Sequence, residues 1–246
     1  FDGKFEVLTF NLTIMNKKKS QLVERLIYEM RFRNYSPRSI KSYGDLASKI
    51  EKSFDCSLDQ ITGEQFKEYL HRRITTDGIS STMVNQYISA FKILQVDVLK
   101  RDWQQIKIRR PRREKRLPVV LSVNEIERLI AATHNPKHRA LLMLAYSAGL
   151  RRNEVQQMKP SAIDSARMQV HVVQGKGKKD RYTILSAKTL DALRIYYKYE
   201  RPAHFLFEAR GRKGQPLSET TLNMIVKKCA VKAGIKKSVS FHTLRH

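Results

Sequence analysis

Four consecutive segments with apolar residues at helical spacing, separated by polar capping signals, constrain the fold of the first hundred residues most strongly. Ser36-Pro37 offers an N-cap followed by a first-turn proline, and Thr62 and Gln65 have the spacing of a capping box. The apolar positions of the four segments are Leu22, Val23, Leu26, Ile27 and Met30; Ile40, Tyr43, Leu46, Ala47 and Ile50; Phe66, Tyr69 and Leu70; and Val84, Tyr87, Ile88, Phe91 and Leu94. The pattern predicts a small all-helical domain over residues 16–103. Residues 1–15 end at the first methionine, and we expect them to be a leader whose native or non-native origin is open.

A strongly basic stretch follows this domain. Residues 107–116 contain seven Lys or Arg, one Glu and one Pro, and show neither helical nor strand periodicity. We therefore predict an interdomain linker over residues 104–118. Such a run is either a solvated surface or a phosphate-contacting segment, and the charge of the whole chain favours the second. Its candidate DNA-contacting residues are Lys107, Arg109, Arg110, Arg112, Arg113, Lys115 and Arg116.

The net charge limits the class of partner. The chain has 48 Lys and Arg against 23 Asp and Glu, a formal net charge of +25, which favours a polyanion such as nucleic acid. Ribosomal proteins and membrane-surface helices share this bias and stay open on charge alone. No apolar run reaches transmembrane length and no signal-peptide order is present, so we expect a soluble cytoplasmic protein without a membrane partner. Cys56 and Cys229 lack metal-ligand spacing and are expected to be reduced thiols.

The second half of the chain predicts a mainly α-helical domain, residues 119–246, with a small β-hairpin. Ser122 and Glu125 form a second capping box, and the apolar helix ALLMLAYSAG ends at Gly149. Alternating Val170 and Val172, a turn from Gly175 to Lys179 and a return through Tyr182 and Ile184 indicate the hairpin. Further helices are predicted around Leu190 and Leu193, and from Ser218 to Gly234.

The last residues, SFHTLRH, carry side chains suited to chemistry. On a helix, His242 and His246 lie at i and i+4, a spacing that can chelate zinc, but no third ligand is apparent. His242 and Arg245, at i and i+3, also share a helical face, and a guanidinium beside an imidazole suits a phosphate. An ordinary charged surface helix is the alternative on this segment alone.

Two earlier stretches resemble parts of the same kind of site. Arg151 follows the helix-ending glycine and has Glu154 three residues later, where the carboxylate can hold the guanidinium in one rotamer. Lys176 lies at the glycine-rich hairpin tip, which can approach a nucleic-acid backbone closely. Each signal is weak alone, and their order along the chain makes them specific.

With AGLRRNEV, GKGKKDR and HTLRH in this order, the sequence resembles the tyrosine recombinase, or phage-integrase, family, which includes the Xer-type recombinases. The resemblance runs from about Lys17 to His246. It implies a SAM-like, four-helix core-binding domain followed by a catalytic domain that is C-terminally incomplete. It also implies cutting and rejoining of duplex DNA through a 3′-phosphotyrosyl intermediate, without a cofactor or metal.

The resemblance assigns roles residue by residue. Arg151 and Arg245 match the two catalytic arginines, Lys176 the hairpin lysine and His242 the catalytic histidine. Glu154 and His246 match supporting positions, and Lys178 on the hairpin is a further candidate DNA contact.

The family's nucleophilic tyrosine has no counterpart in this sequence, and we assign none of the ten tyrosines to that role. Tyr196, Tyr197 and Tyr199 are clustered, but Leu190, Leu193 and Tyr197 indicate one packed helix face. We therefore expect an incomplete copy of a recombinase that forms a homo-tetramer on DNA at full length. As it stands, the chain is expected to bind DNA without cleaving it. A natural truncation that only binds DNA is the alternative, and a general RNA-binding protein is a third reading that leaves the three motifs unexplained.

Overall fold

The computed structural model describes residues 20–106, 108–112, 117–173 and 180–245. The chain divides into two compact units, Phe1–Lys115 and Arg116–His246. Each unit has its own hydrophobic core, so each is described by itself.

The first unit is a bundle of helices, as the periodicity predicts. Hydroxyl side chains at Ser20, Ser36, Thr62 and Ser80 each accept a backbone N–H at the start of a helix, which satisfies donors that the helix itself leaves unpaired. A π-helical turn, Leu94–Val98, continues the fourth helix. The helices are α1 Gln21–Phe32, α2 Pro37–Glu51, α3 Gly63–Asp77, α4 Ser81–Ile93 and α5 Trp103–Ile106.

The core of this unit contains most of the predicted apolar positions. Phe66 on α3 stacks on Phe91 of α4 with ring centroids 4.0 Å apart, and Val23, Leu26 and Met30 of α1 are fully buried. Aromatic stacking adds to the free energy of area burial in such a core. The predicted all-helical character of this domain is confirmed.

Part of the segment predicted as linker packs on this helical unit. Trp103–Ile106 form α5, and Ile108 is buried in the helical core. The guanidinium of Arg110 donates to the backbone O and side-chain Oδ1 of Asn85 at 3.0 and 3.2 Å, and to Ser89 Oγ at 3.1 Å. Trp103, Ile106 and Ile108 pack against the helical core and account for this attachment. Three apolar residues among so many charges form no periodic pattern that the sequence alone would show.

The second unit is mainly helical with two small sheets. The first sheet is antiparallel in the order β1-β2-β3, and β4 pairs with β5. The helices are α6 Val123–Ala131, α7 Pro136–Ser147, α8 Arg152–Gln156, α9 Ala187–Glu200 and α10 Glu219–Lys232, with 3₁₀ turns at Pro160–Ala162 and Phe241–Arg245. The strands are β1 Ile163–Asp164, β2 Gln169–Val172, β3 Arg181–Ile184, β4 Glu208–Ala209 and β5 Arg212–Pro216.

The predicted hairpin is present as β2 and β3. Gln169 pairs with Ile184 and Val172 with Arg181, and Val170 and Val172 face the core. The predicted turn, Gly175 to Lys179, lies outside the described residues. Strand β1 and the β4-β5 pair were not predicted. β1 and β4 have two residues each, too few for a measurable period, and the five residues of β5, RKGQP, have no apolar alternation.

One predicted helix face on α9 is wrong. Tyr196, not Tyr197, lies in the core with Leu190 and Leu193, and its hydroxyl donates to Leu206 O at 2.9 Å. Burial raises the pKa of Tyr196. Tyr197 is half exposed. Tyr196 and Tyr197, three and four residues after Leu193, both fit an apolar stripe on a helix. The packing of α9 against α7, and of Tyr196 against Phe207, determines that Tyr196 is the buried one.

Within the described ranges, no helix is both long and apolar enough to cross a bilayer. Cys56 is half-buried and Cys229 buried, and both are free thiols.

Candidate functional site

Arg151 is placed by the end of one helix and the start of the next. The chain leaves α7 through Gly149, whose φ of 58° is left-handed. The N–H of Leu150 donates to Ala145 O at 3.0 Å and that of Gly149 to Tyr146 O at 3.2 Å, the bonding of a Schellman motif. Leu150 is buried, and Arg151 then becomes the N-cap residue of α8. The glycine predicted to end the helix thus also sets the position of Arg151.

Glu154 holds Arg151 at two atoms. Its Oε2 accepts the backbone N–H of Arg151 at 2.8 Å, and its Oε1 accepts from Arg151 Nη1 at 2.9 Å. The same carboxylate forms a bidentate pair with Arg181 of β3, whose Nη1 donates to Oε1 and whose Nη2 donates to Oε2, each at 2.7 Å. The Glu154 side chain is 5% exposed, while those of Arg151 and Arg181 are 34% and 33% exposed.

The electrostatics of this cluster favour a charged Glu154. Burial by itself would raise the pKa of Glu154, but the hydrogen bonds from Arg181 and Arg151 outweigh burial and lower its pKa to about 2. The same hydrogen bonds raise the pKa of the Arg181 guanidinium. One anion is therefore shared by two cations, and the cluster keeps a net positive charge.

His242 and Arg245 lie on a 3₁₀ turn, Phe241–Arg245, and the expectation of a regular α-helix there is wrong for the described residues. The N–H of Thr243 donates to Ser240 O, and Thr243 Oγ1 accepts the N–H of Ser240, both at 3.1 Å. This local i to i+3 bonding tightens the turn. Since a 3₁₀ helix has three residues per turn, positions i and i+3 align, and the shared face predicted for His242 and Arg245 follows from this geometry as well.

Helix α10 anchors both the start of α8 and the turn Phe241–Arg245. At its start, Glu219 accepts from Arg152 Nη2 of α8 at 2.7 Å, and Asn223 Oδ1 accepts the N–H of Phe241 at 3.1 Å. Four residues of α-helix span about 6 Å. The helix that begins after Arg151 and the turn that carries Arg245 are therefore anchored one helical turn apart on the same element.

Arg245 has an unmet hydrogen-bonding group. Its Nη1 is buried and, within the described residues, has no hydrogen-bond partner. A buried guanidinium N–H without an acceptor is unfavourable, and an anion at this site would satisfy it. Among those same residues, no group of three or more His, Cys, Asp or Glu lies close enough to share a metal ion.

Several predicted site residues lie outside the described residues. They are Lys107, Arg113, Lys115, Arg116, Lys176, Lys178 and His246. Of the predicted linker contacts, Arg109, Arg110 and Arg112 are described and all three are exposed, and Arg110 also donates to Asn85 and Ser89.

Sequence reasoning missed Arg181. It ends the motif GKGKKDR, where it looks like one more charge of a solvated turn. The available signal was its place at the first position of the returning strand, with alternate residues half-buried and exposed. Only pairing across the sheet and to α8 identifies its partner.

Each of the two units is similar to a known protein family. Residues 119–246 match the phage integrase family, and residues 22–105 match the phage integrase N-terminal SAM-like domain. The chain is 33% identical over 226 residues to the y4qK protein of Sinorhizobium fredii, an integrase/recombinase by name, covering 92% of this chain and 73% of that protein. A tyrosine recombinase of Thermosipho africanus is 27% identical over 230 residues, covering 89% and 80%.

A solved structure shares the fold at low identity. A lambda integrase dimer bound to a COC′ core site superposes with a TM-score of 0.72 at 16% identity, covering 91% of this chain and 85% of that one. The sequence matches over both units, together with this fold, are sufficient to assign the family. The chain belongs to the phage integrase family of tyrosine recombinases.

Proposed function

We propose that this protein acts in site-specific recombination by cutting and rejoining duplex DNA through a 3′-phosphotyrosyl intermediate. Its family membership supports DNA breaking and rejoining as the activity. Arg151 and Arg245 of the second unit are assigned to the phosphate that is cut.

In the proposed step, a tyrosine oxygen attacks the scissile phosphorus and forms a phosphotyrosyl ester. The bond from phosphorus to the 5′-oxygen breaks, and the phosphoryl group stays attached to the 3′-oxygen. Lys176 gives its proton to the departing 5′-oxygen, and His242 assists proton movement at the nucleophile. Arg151 and Arg245 stabilise the extra negative charge on the non-bridging oxygens. Removal of one such preorganised donor typically costs about 3 to 4 kcal/mol of barrier, or about 10² to 10³ in rate.

The observation that carries the proposal is the joint anchoring of α8 and the 241–245 turn on α10. Arg152 and Phe241 attach four residues apart on that helix, which supports Arg151 and Arg245 acting on one phosphate. The unpartnered Nη1 of Arg245 supports an anionic ligand at the same site.

Duplex DNA is the proposed partner. The charge of +25 and the exposed Arg109 and Arg112 support contact with DNA phosphates. By analogy with a lambda integrase tetramer bound to a Holliday junction, we propose a homo-tetramer on DNA. A cytoplasmic location without a membrane partner and a reaction that needs no metal cofactor complete the proposal.

The role of nucleophile is assigned to none of the ten tyrosines in this sequence. Tyr196 is an unsuitable candidate, because its hydroxyl is buried and donates to Leu206 O. The assay of covalent cleavage therefore uses a protein that carries these residues within its complete reading frame.

The test measures a covalent protein–DNA adduct on a nicked suicide duplex. Its binding site is first selected from random duplexes by the protein itself. We expect an adduct with the unchanged protein, and a decrease of about 10² or more in adduct rate for Arg151→Ala and for Arg245→Ala. Arg194→Ala is the matched control, since Arg194 is exposed on α9 and pairs with Asp191 of the same helix at 3.6 Å.

Two outcomes contradict the proposal. Specific binding without any adduct would favour a protein that only occupies DNA sites. An adduct that persists unchanged in Arg245→Ala would exclude the proposed phosphate clamp.

A further inference from the structure

Two side chains of strand β3 form hydrogen bonds with the segment that carries Arg151. Thr183 Oγ1 donates to Ala148 O at 3.0 Å, just before the Gly149 turn. Two residues earlier, Arg181 grips Glu154 of α8. Arg181 and Thr183 are half-buried, whereas Tyr182 and Ile184 are exposed, so the inward face of this strand is polar and bonded to the site.

The carboxylate of Glu154 is divided unequally between its two arginines. Arg181 binds it as a fork, with one Nη on each oxygen at 2.7 Å. Arg151 contributes a single Nη1 to Oε1 at 2.9 Å, and its backbone N–H to Oε2. The fork geometry is the strongest form of an arginine–carboxylate pair, and here Arg181 occupies it.

We propose that Arg181 is a positioning residue for the reaction, because it occupies the carboxylate of Glu154 and thereby leaves the Arg151 guanidinium available to the phosphate. This inference rests on the proposed function. Arg181 would act through Glu154 and Arg151, without contacting DNA itself.

The expected behaviour without Arg181 follows from charge and burial. The Glu154 side chain is 5% exposed in the unchanged protein, and without Arg181 it would have Arg151 as its only remaining cation within the cluster. A buried carboxylate needs a paired cation, so Arg151 would rotate to take the fork. Its donors would then point at Glu154, and the net charge of the cluster would fall from +1 to 0.

A simple brace between β3 and α8 is the competing explanation of the same contacts. A brace predicts that loss of Arg181 and loss of the Glu154 charge are equally harmful, separately or together. Competition for the carboxylate predicts instead that Glu154→Gln relieves the defect of Arg181→Ala. The amide oxygen of glutamine still accepts the Arg151 N–H, but it has no charge to trap the guanidinium.

The first experiment measures single-turnover cleavage at saturating protein, together with the Kd for the same duplex. We expect Arg181→Ala to cleave about 10²-fold more slowly with a Kd within about 3-fold of the unchanged protein, since few of its phosphate contacts change. Arg181→Ala/Glu154→Gln should regain about 10-fold of that rate. Arg181→Lys, which keeps the charge without the fork, should lie between. Arg194→Ala is the control.

The inference is overturned if the double variant cleaves no faster than Arg181→Ala, or if Arg181→Ala cleaves at the unchanged rate. Circular dichroism and thermal unfolding of each variant check that it is folded. If Arg181→Ala is unfolded, the comparison of Arg181→Lys with Arg181→Lys/Glu154→Gln decides by the same criterion.

A second experiment needs no DNA and therefore separates this inference from the proposed function. Nitrogen-15 NMR measures hydrogen exchange of the Arg151 guanidinium. Exchange should slow in Arg181→Ala, where Glu154 holds both Nη groups, and return to the original rate in the double variant. Unchanged exchange in Arg181→Ala overturns the competition. If the unchanged protein forms no DNA adduct, the proposed function fails, and this exchange measurement alone decides the coupling.

Discussion

At the scale of single residues, Glu154 has the most perturbed acidity of the site. Its ordinary pKa of 4.5 falls to about 2 in the folded protein, because the hydrogen bonds from two arginines outweigh the cost of burial. A carboxyl whose pKa is lower in the folded state stabilises the fold above its unfolded pKa. That stabilisation is lost as pH falls through the folded pKa.

Replacing Glu154 tests this link. We expect Glu154→Gln to lower the free energy of unfolding at pH 7 by about 2 kcal/mol, because it removes the charge that both arginines use. The difference from the unchanged protein should shrink as the pH is lowered from about 4.5 to about 2. Urea unfolding at several pH values measures it, with Glu64→Gln on the exposed Lys67 pair as control. A difference that is independent of pH would mean that Glu154 has an ordinary acidity.

At the scale of elements, the α7–α8 junction positions the first arginine. Gly149 has a φ of 58°, and an added Cβ there would meet no atom within 4 Å. The cost of a side chain at this position is therefore the left-handed backbone alone and involves no steric clash.

Substitutions at Gly149 should follow backbone preference. We expect Gly149→Ala to lower the free energy of unfolding by about 1 kcal/mol, and Gly149→Asn to lower it less, because asparagine tolerates the left-handed region better. Chemical denaturation of the three proteins provides the comparison. Equal stability of the alanine and glycine proteins would show that the junction relaxes to another conformation.

The elements also show which sequence signals were sufficient. Capping boxes at Thr62 and Ser122 form as predicted, with both reciprocal hydrogen bonds, because a cap depends on residues three positions apart. The two-residue strand β1 and the choice of Tyr196 over Tyr197 were not predictable. Both depend on neighbours distant in the sequence, which local periodicity does not encode.

At the scale of the whole molecule, the excess of basic residues should govern DNA affinity. For binding to duplex DNA, log K falls with log salt at a slope of about −0.9 for each phosphate contact. Arg109, Arg110 and Arg112 are all exposed, but the guanidinium of Arg110 is engaged by Asn85 and Ser89 of its own unit. The three arginines lie within four residues of one another but are expected to contribute unequally.

The salt dependence distinguishes them. We expect the double variant Arg109→Ala/Arg112→Ala to flatten the slope by about 1.8, the value for two lost contacts. Arg110→Ala should change the slope less and should instead reduce the stability of the helical unit, since it removes hydrogen bonds to Asn85. Fluorescence anisotropy over a salt series provides the slopes. An unchanged slope in the double variant would exclude these two arginines from phosphate contact.

The sequence by itself determined the helical class of both units, the capped helix starts, the β2-β3 hairpin and the family, because these depend on local periodicity and on motifs of a few residues. It also singled out Arg151, Glu154, His242 and Arg245 as candidates. Tertiary structure alone decided that the 241–245 segment is a 3₁₀ turn held by Asn223, and that Arg110 packs on α4. It also decided that Glu154 is shared between Arg151 and Arg181. The physical reason is that a hydrogen bond between residues 27 positions apart depends on how strands and helices pack, and no short window of sequence specifies that packing.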